Sequence, residues 1–124
     1  MIEISNAELK VMQILWQRQP LSANDVVAAL ADDKDWHEKT VKTLLNRLVG
    51  KGALGFDKDG RAYLYYPLIA EQDYQLQQSR SFVERLFAGR VAPLVAGFAS
   101  QNKLNADDVE QLKQLIAEWE QKHD

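Results

Sequence analysis

The chain has 124 residues, 46% of them hydrophobic and 27% charged, with a formal net charge of −3 at pH 7, which suffices for one moderate core or two small modules. The absence of cysteine excludes disulfides, thiolate metal sites and cysteine nucleophiles. No apolar run approaches the ~18 residues of a membrane span and no basic-then-apolar leader opens the chain, so we expect a cytoplasmic protein without membrane insertion.

A first helix is predicted from Asn6 to Gln17. Ser5 is its predicted cap, and Glu8 three residues later completes a capping box, in which each residue satisfies the other's backbone N–H. Apolar residues at helical spacing form its predicted buried stripe, namely Leu9, Met12, Leu15 and Trp16. Pro20 cannot continue a helix and so begins a connection.

A second helix is predicted over residues 23–31, with Ser22 as its cap and Asp25 three residues later. Its inward residues are Val26, Val27 and Leu30. The acidic, polar residues 32–35 are predicted to form a turn. A third helix is predicted over residues 38–51, and a helix, a turn and a helix in succession form the helix-turn-helix unit.

The start of the third helix is its less defined boundary. His37 precedes the helix, but histidine is a poor cap. Asp35 is the rival cap, two residues earlier. The end is better marked, because Gly52 readily adopts the left-handed conformation that terminates helices.

The third helix has two unlike faces. One is apolar and would hold the helix on a core, with Val41, Leu44, Leu45 and Leu48. The other carries candidate DNA contacts, with Lys39, Lys42, Thr43 and Asn46. Lysine reaches guanine acceptors, asparagine pairs bidentately with adenine, and a threonine methyl packs on thymine. Thr40 lies nearer the flank, where phosphate is the predicted contact; for Arg47, phosphate and an ion pair with the first helix fit equally well.

Two short strands are predicted next, over residues 54–56 and 62–66, joined by a tight turn at residues 57–60. Pro67 closes this hairpin, and residues 20–22 are the predicted third strand that anchors it. The wing tyrosines are predicted to pack in its core, with a phosphate contact as the alternative for the first: Tyr63, Tyr65 and Tyr66. A helix followed by such a wing is the layout of a winged helix-turn-helix.

Positive charge is concentrated in the third helix and the wing. Residues 39–61 carry six basic and two acidic side chains, whereas residues 71–124 carry six basic and nine acidic ones. For a polyanionic partner, the distribution of charge matters more than its sum. Lys58 and Arg61 in the wing are therefore candidates for contacts with the DNA backbone, which give affinity rather than sequence choice.

Beyond Pro67 the pattern is entirely helical. Helices are predicted over residues 71–88, 90–101 and 106–121, the last capped by Asn105 with Asp108 three residues on. Three helices in so few residues bury too little surface to stand alone. We therefore expect a homodimer; the alternative is a monomer that folds these helices onto the wing domain. The predicted interface consists of Phe82, Leu86, Phe87, Val91, Leu94, Val95, Phe98, Leu112, Leu115 and Trp119.

The predicted class is mainly α with a small β-wing. It comprises a winged helix-turn-helix at residues 1–70 and a three-helix dimerisation domain at residues 71–124. His37 and His123 are the only histidines, and because they are far apart and outside any ligand cluster, no metal site is expected. No nucleophile–base pair or glycine-rich phosphate loop is present, so neither an enzyme nor a cofactor is expected.

Several segments resemble one family of regulators. Residues 36–54, which contain the run KTVKTLLNRL, are similar to the recognition helix and first wing strand of the BlaI/MecI/CopY family, the penicillinase repressors and their relatives. Residues 5–16, 65–68 and 81–87 match in place and spacing. The resemblance covers essentially the whole chain. It implies a homodimeric repressor of transcription whose winged helices bind a palindromic operator and whose C-terminal helices hold the dimer.

The chain also departs from that family. Family members are commonly released by a membrane sensor-protease system that cleaves the dimerisation region at an Asn-Phe bond; here Gly97 precedes Phe98, which argues against cleavage at that bond and against a β-lactam stimulus. The Cys-x-Cys pairs of the copper-responsive branch are absent. The usual Ser-Pro before Lys39 is replaced by His37 and Glu38, and Glu38 suits a helix start but not a neighbouring phosphate.

Two other functions remain open at this point. One is a winged-helix regulator that senses a small ligand at the dimer interface. The other is a winged helix that serves only as a protein-interaction module.

Overall fold

The computed structural model describes residues 2–31 and 36–123. The predicted turn at residues 32–35, with the rival cap Asp35, lies outside the described residues. Two strands and six helices follow one another in the order α1 (Asn6–Gln17), α2 (Ala23–Ala29), α3 (Glu38–Gly50), β1 (Leu54–Asp59), β2 (Ala62–Pro67), α4 (Glu71–Phe87), α5 (Ala92–Ser100) and α6 (Ala106–Lys122). Within the described ranges, no helix has the length and apolarity needed to cross a membrane.

The chain divides into two compact units, Met1–Gln77 and Gln78–Asp124. The boundary predicted after residue 70 therefore falls inside α4 instead. The reason is packing by the first turns of α4, where Tyr74 is buried. Its ring lies against that of Trp16, with the centroids 5.9 Å apart. Trp16 Nε1 in turn donates to the carbonyl oxygen of Ile69 at 2.9 Å, which fixes the segment before α4 on α1.

Three predicted capping boxes are confirmed, at the starts of α1, α2 and α6. At α1 the Ser5 hydroxyl accepts from the Glu8 backbone N–H at 3.1 Å, and the Glu8 carboxylate accepts from the Ser5 N–H at 3.0 Å. At α3 the cap position is occupied by His37, whose side chain makes no capping hydrogen bond. A capping hydrogen bond joins residues only two or three positions apart, so a short stretch of sequence is enough to predict it.

The core of the first unit lies where α1, α2 and α3 meet the base of the wing. Its buried side chains are Val11, Met12, Leu15, Val26, Val41, Leu44, Leu45, Leu48, Ala53, Leu54 and Tyr65. Val11, which the predicted stripe of α1 omitted, is completely buried, whereas Leu9 and Trp16 are half-buried. On α2, Val26 is buried and Val27 is half-buried, and Leu30, the residue after the end of α2, is half-buried as well.

The wing is an antiparallel hairpin whose register runs from Leu54 opposite Pro67 to Asp59 opposite Ala62. The predicted turn at residues 57–60 is wrong, because β1 continues to Asp59. The connection is the two-residue turn Gly60–Arg61, in which Gly60 has φ +63°. Positive φ at the first of two turn residues is the requirement of a type II′ turn, whose backbone twist matches that of the strands, whereas a type I or II turn would splay them.

The predicted third strand exists as a single antiparallel bridge. Leu21 N donates to Tyr65 O at 3.1 Å, and Tyr65 N donates to Leu21 O at 2.7 Å. This exchange anchors the wing to the connection between α1 and α2, as predicted.

The second unit consists of the remainder of α4 with α5 and α6. Ala88 and Gly89 have φ of +52° and +83° and end α4. α5 begins at Ala92 rather than at residue 90, and Pro93 lies in its first turn, where its missing N–H costs nothing. In the described part of this unit, Val83 is the one buried large hydrophobic residue. Its helices therefore have almost no core within one chain.

Candidate nucleic-acid interface

The exposed face of α3 is fixed by the burial of its opposite face. Val41, Leu45 and Leu48 are 0% exposed and hold the helix on the core of the first unit. The polar residues predicted as DNA contacts are all exposed along the other side: Lys39, Lys42, Thr43 and Asn46. The predicted division of the helix into two faces is confirmed.

A groove of about 540 Å³ lies between the start of α2, the exposed face of α3 and the tip of the wing. We call it the reading groove; its lining residues are Ser22, Ala23, Asn24, Glu38, Lys42, Asn46, Arg61, Ala62, Tyr63 and Tyr65. It brings together Lys42 and Asn46 from α3 with Arg61 from the wing. Asn24, at the exposed start of α2, was not predicted, because no local pattern marks its proximity to α3.

The other predicted contacts do not line this groove. Lys39 and Thr43 line a second, shallower depression of about 530 Å³ with His37, Glu38, Lys42 and Asn46. Thr40, Arg47 and Lys58 are exposed but line neither surface. The candidate contacts thus divide into a central set on α3 with Arg61 and a flanking set.

The hydroxyl of Thr43 is already engaged. Its Oγ1 donates to the carbonyl oxygen of Lys39, one turn earlier, at 3.0 Å. This back-bond to the i−4 carbonyl is common for threonine in helices. It fixes the side-chain rotamer, so the methyl group rather than the hydroxyl donor is the group available to a partner.

A carboxylate lies within the cationic face. Glu38 Oε1 is 2.9 Å from Lys42 Nζ, and both side chains are more than half exposed. The hydrogen bond and positive charge of Lys42 lower the pKa of Glu38, and the same contact raises the pKa of Lys42. Both groups are therefore charged at neutral pH, and the local field of α3 is less positive than its lysines suggest.

An ion pair with α1 exists, but Arg47 does not make it. Lys51 Nζ lies 2.6 Å from Glu8 Oε1 and also donates to the carbonyl oxygen of Glu3 at 2.8 Å. Burial raises the pKa of Glu8, but the hydrogen bonds from Lys51 and Ser5 outweigh burial and the net shift is downward. Among the described residues, no ion pair joins Arg47 to α1. Sequence reasoning missed the Glu8–Lys51 pair because the two residues are 43 positions apart.

The wing tyrosines separate by burial. Tyr65 is 9% exposed and belongs to the core, as predicted, and Tyr66 is half-buried. Tyr63 is 45% exposed and packs edge-to-face on Phe56, with the ring centroids 5.2 Å apart. Tyr63 also lines the reading groove, so it belongs to the same surface as the candidate α3 contacts.

The residues predicted at a dimer interface leave a large apolar surface uncovered. Six are exposed, namely Phe82, Leu86, Val91, Phe98, Leu115 and Trp119, and the others are half-buried, namely Phe87, Leu94, Val95 and Leu112. Val109 and Ile116, which were not included in that set, are exposed as well. Gly97 lies in α5 beside open space, since a Cβ at this position would meet no atom within 4 Å outside the backbone of its own helix.

Known proteins resemble this chain over nearly its full length. The sequence profile described as penicillinase repressor matches residues 4–118. The chain is 36% identical to the penicillinase repressor of Bacillus licheniformis over 116 residues, which are 94% of this chain and 91% of that one. It is 35% identical to the methicillin resistance regulatory protein MecI of Staphylococcus aureus (strain N315) over 114 residues, 92% of this chain and 93% of that one.

Two solved structures resemble the first unit. The solution structure of the DNA-binding domain of the repressor BlaI is 42% identical, covers 59% of this chain and 89% of that one, and has a TM-score of 0.53. The monomeric form of Bacillus licheniformis BlaI in complex with the blaP half-operator is 43% identical, covers 60% and 92%, and has a TM-score of 0.52. The predicted winged helix and the predicted family resemblance are confirmed.

Proposed function

The chain belongs to the penicillinase repressor family, and we propose that this sequence-specific DNA-binding repressor acts as a homodimer on a palindromic operator in the cytoplasm. The family consists of transcriptional repressors, which are not enzymes. A relative that binds a half-operator as a monomer supports one winged helix for each half-site. Two-fold symmetry of the protein then requires dyad symmetry in the operator.

The observation that carries the proposal is the reading groove. Lys42 and Asn46 of α3 and Arg61 of the wing line one concave surface, while the leucines of α3 remain buried. A recognition helix placed in the major groove presents residues such as Lys42 and Asn46 to base edges. Lys39 and Thr43 extend this set along the helix. The flanking residues Thr40, Arg47, Lys58 and the wing residue Arg61 then contact phosphates, which position the protein without reading sequence.

The second unit supplies the dimer. A monomer would leave Leu115, Ile116 and Trp119 at 57–60% exposure on one helix, which is typical of an interaction surface rather than of a free helix. Pairing with a second copy buries these side chains and makes the second half-site contact effectively intramolecular. Affinity for a full operator therefore depends on residues that do not touch DNA.

The dependence of operator affinity on the dimer also suggests how the repressor is released from DNA. Any event that breaks the dimer lowers operator affinity without altering α3. Cleavage in α5 by a membrane sensor-protease system is the route that the family resemblance suggests. The presence of Gly97 before Phe98 favours a different bond or a different signal. The inducer is best sought by assaying which stress shortens the protein in cells.

A gel-shift titration against the protein's own upstream region tests the function. We expect one fragment to bind at least about a hundredfold more tightly than random DNA at moderate salt, with footprints on two symmetric half-sites. If every fragment binds as weakly as random DNA, the repressor function is refuted, and a protein-interaction module becomes the better explanation.

Thr43 gives a prediction that separates its two functional groups. Thr43→Ser removes the methyl and keeps the hydroxyl, and should weaken binding to the preferred operator by about 1 kcal/mol, because a methyl–thymine contact is lost. Thr43→Val keeps a methyl and removes the hydroxyl, which already donates to Lys39 O, and should bind within about 0.5 kcal/mol of the wild type. Fluorescence anisotropy measures both, and the reverse order would show that the hydroxyl is the contact.

Replacement of Asn46 and replacement of Lys58 should have different effects on DNA binding. Asn46→Ala should cost roughly 1–3 kcal/mol on the preferred operator and relax the preference at one base pair. Lys58→Ala should weaken binding to all sequences similarly and reduce the salt slope by about one unit, because it removes one phosphate contact. Titrations at several salt concentrations on preferred and random DNA distinguish the two. Equal loss of discrimination in both variants would contradict this division of roles.

A further inference from the structure

Glu38 is the one carboxylate among the residues that line the reading groove and the neighbouring depression on α3. It is the first residue of α3, and its side chain is 58% exposed. Because the first turn of a recognition helix lies closest to the bases, the carboxylate is positioned for contact with DNA rather than at the rim.

A carboxylate in this position is unfavourable beside phosphate. Like charges repel, and the partial positive charge of the helix start is already offset by Glu38 itself. A base edge with a hydrogen-bond donor is the alternative partner. In the major groove the exocyclic amine N4 of cytosine is such a donor, and glutamate is among the side chains that accept from it.

Lys42 can contact guanine, the other base of the same pair, while Glu38 contacts cytosine. Its ammonium lies 2.9 Å from the Glu38 carboxylate, which places an acceptor directly beside a donor. A C·G pair presents the reciprocal arrangement, with cytosine N4 as donor beside guanine O6 as acceptor. These two base atoms are themselves hydrogen-bonded and so lie at a similar separation. The neighbouring N7 of guanine offers the ammonium a second acceptor.

We infer that Glu38 and Lys42 read one C·G base pair in each half-site as a unit, with the carboxylate on cytosine N4 and the ammonium on guanine O6 and N7. The inference rests on the proposed function. An A·T pair also places a donor beside an acceptor, but thymine has no second acceptor for lysine and carries a methyl group at the groove edge. Glu38 is thus a specificity-determining residue, and the exposed ion pair keeps both groups in place before DNA arrives.

The test is selection from random DNA, followed by affinity measurements on operators that differ at one base pair. The wild type should prefer C·G at one symmetric position of each half-site by about tenfold. Glu38→Gln should reduce that preference below about threefold, move it towards A·T, and strengthen binding to random DNA because an anion leaves the interface. Glu71→Gln is the matched control, since Glu71 is the exposed first residue of α4 and lines neither surface; it should change neither quantity.

Lys42→Gln should lose discrimination at the same base pair, and the double variant should lose little more than either single one, because the two residues act on one target. Exposed i, i+4 ion pairs contribute little to helix stability, so thermal unfolding should be nearly unchanged in all variants. An unaltered preference in Glu38→Gln, or loss at a different base pair in Lys42→Gln, would overturn the inference. A wild type with no preferred sequence would instead refute the proposed function.

Discussion

Replacing Leu115 by aspartate is expected to convert the protein to monomers and to weaken binding to the full operator by about a hundredfold or more. Leu115 is 60% exposed on α6, beside Ile116 and near Trp119, which are equally exposed. If this surface is the dimer interface, a charge at its centre must be desolvated without a partner, which is strongly unfavourable. Sedimentation velocity measures the association state, and anisotropy measures the operator affinity.

The same experiment contains its own controls. Gln114→Asp introduces the same side chain at the adjacent, polar position of α6 and should leave the dimer intact. Affinity for an isolated half-site should be unchanged in Leu115→Asp, because the first unit is not altered. Phe98→Asp, at a position 48% exposed on α5, should behave like Leu115→Asp. Dimers of unaltered stability in both interface variants would show that the apolar surface of the second unit has another partner.

Lys51→Met is expected to lower the free energy of unfolding by about 2 kcal/mol at pH 7, because breaking one side of a buried ion pair costs more than the pair contributes. The Glu8 side chain is 3% exposed and is paired with Lys51 at 2.6 Å. Removal of the ammonium leaves a buried carboxylate whose remaining hydrogen-bond partner is the backbone N–H of Ser5. Because Lys51 is itself 37% exposed, we expect a loss below that of a fully buried pair. Urea denaturation measures it.

The loss should depend on pH in a defined direction. The pKa of Glu8 in the folded protein lies below its ordinary value of 4.5. Such a group contributes stability above the unfolded pKa, and this contribution disappears as the pH falls through the folded pKa. In Lys51→Met the hydrogen bond and the positive charge of Lys51 no longer lower the pKa of Glu8, so its carboxyl becomes protonated at a higher pH than in the wild type, and the neutral form needs no ammonium partner. The difference in unfolding free energy between variant and wild type should therefore be largest near neutral pH. It should become smaller at pH values well below 4.5, the ordinary pKa of the group.

Lys58→Met is the matched control for this measurement. It makes the same chemical change at an exposed wing position and should alter the unfolding free energy by no more than about 0.5 kcal/mol. A loss in Lys51→Met that persists undiminished in acid would show that the aliphatic stem of the lysine, rather than its charge, stabilises the junction of α1 and α3.

The operator affinity of Lys51→Met adds a functional measurement. Lys51 follows the last turn of α3, and its contacts with Glu8 and with Glu3 O hold that end of the helix on α1. Loosening this end should reduce operator affinity even where the protein remains folded, since misplacement of α3 affects every base contact at once. The Glu8–Lys51 pair is thus a structural support for the exposed face of α3.

Local chemistry explains which parts of the fold were predictable. The capping boxes at Ser5, Ser22 and Asn105 depend on residues three positions apart, and all three formed as expected. The two faces of α3 follow from the helical period alone. The wing turn was less predictable, since the aspartates at residues 57 and 59 suit turns as well as a hairpin end, and the pairing of β1 with β2 decided in favour of the strand.

The sequence by itself determined the capped starts of α1, α2 and α6, the polar face of α3 and the family, because these depend on neighbouring residues and on the identity of side chains. Only the tertiary structure decided that Arg61 and Asn24 meet α3 in one groove, that Lys51 rather than Arg47 pairs with α1, and that α4 begins within the first unit. These contacts join positions far apart in the chain. No periodic pattern encodes such distances, since packing of the whole core sets them.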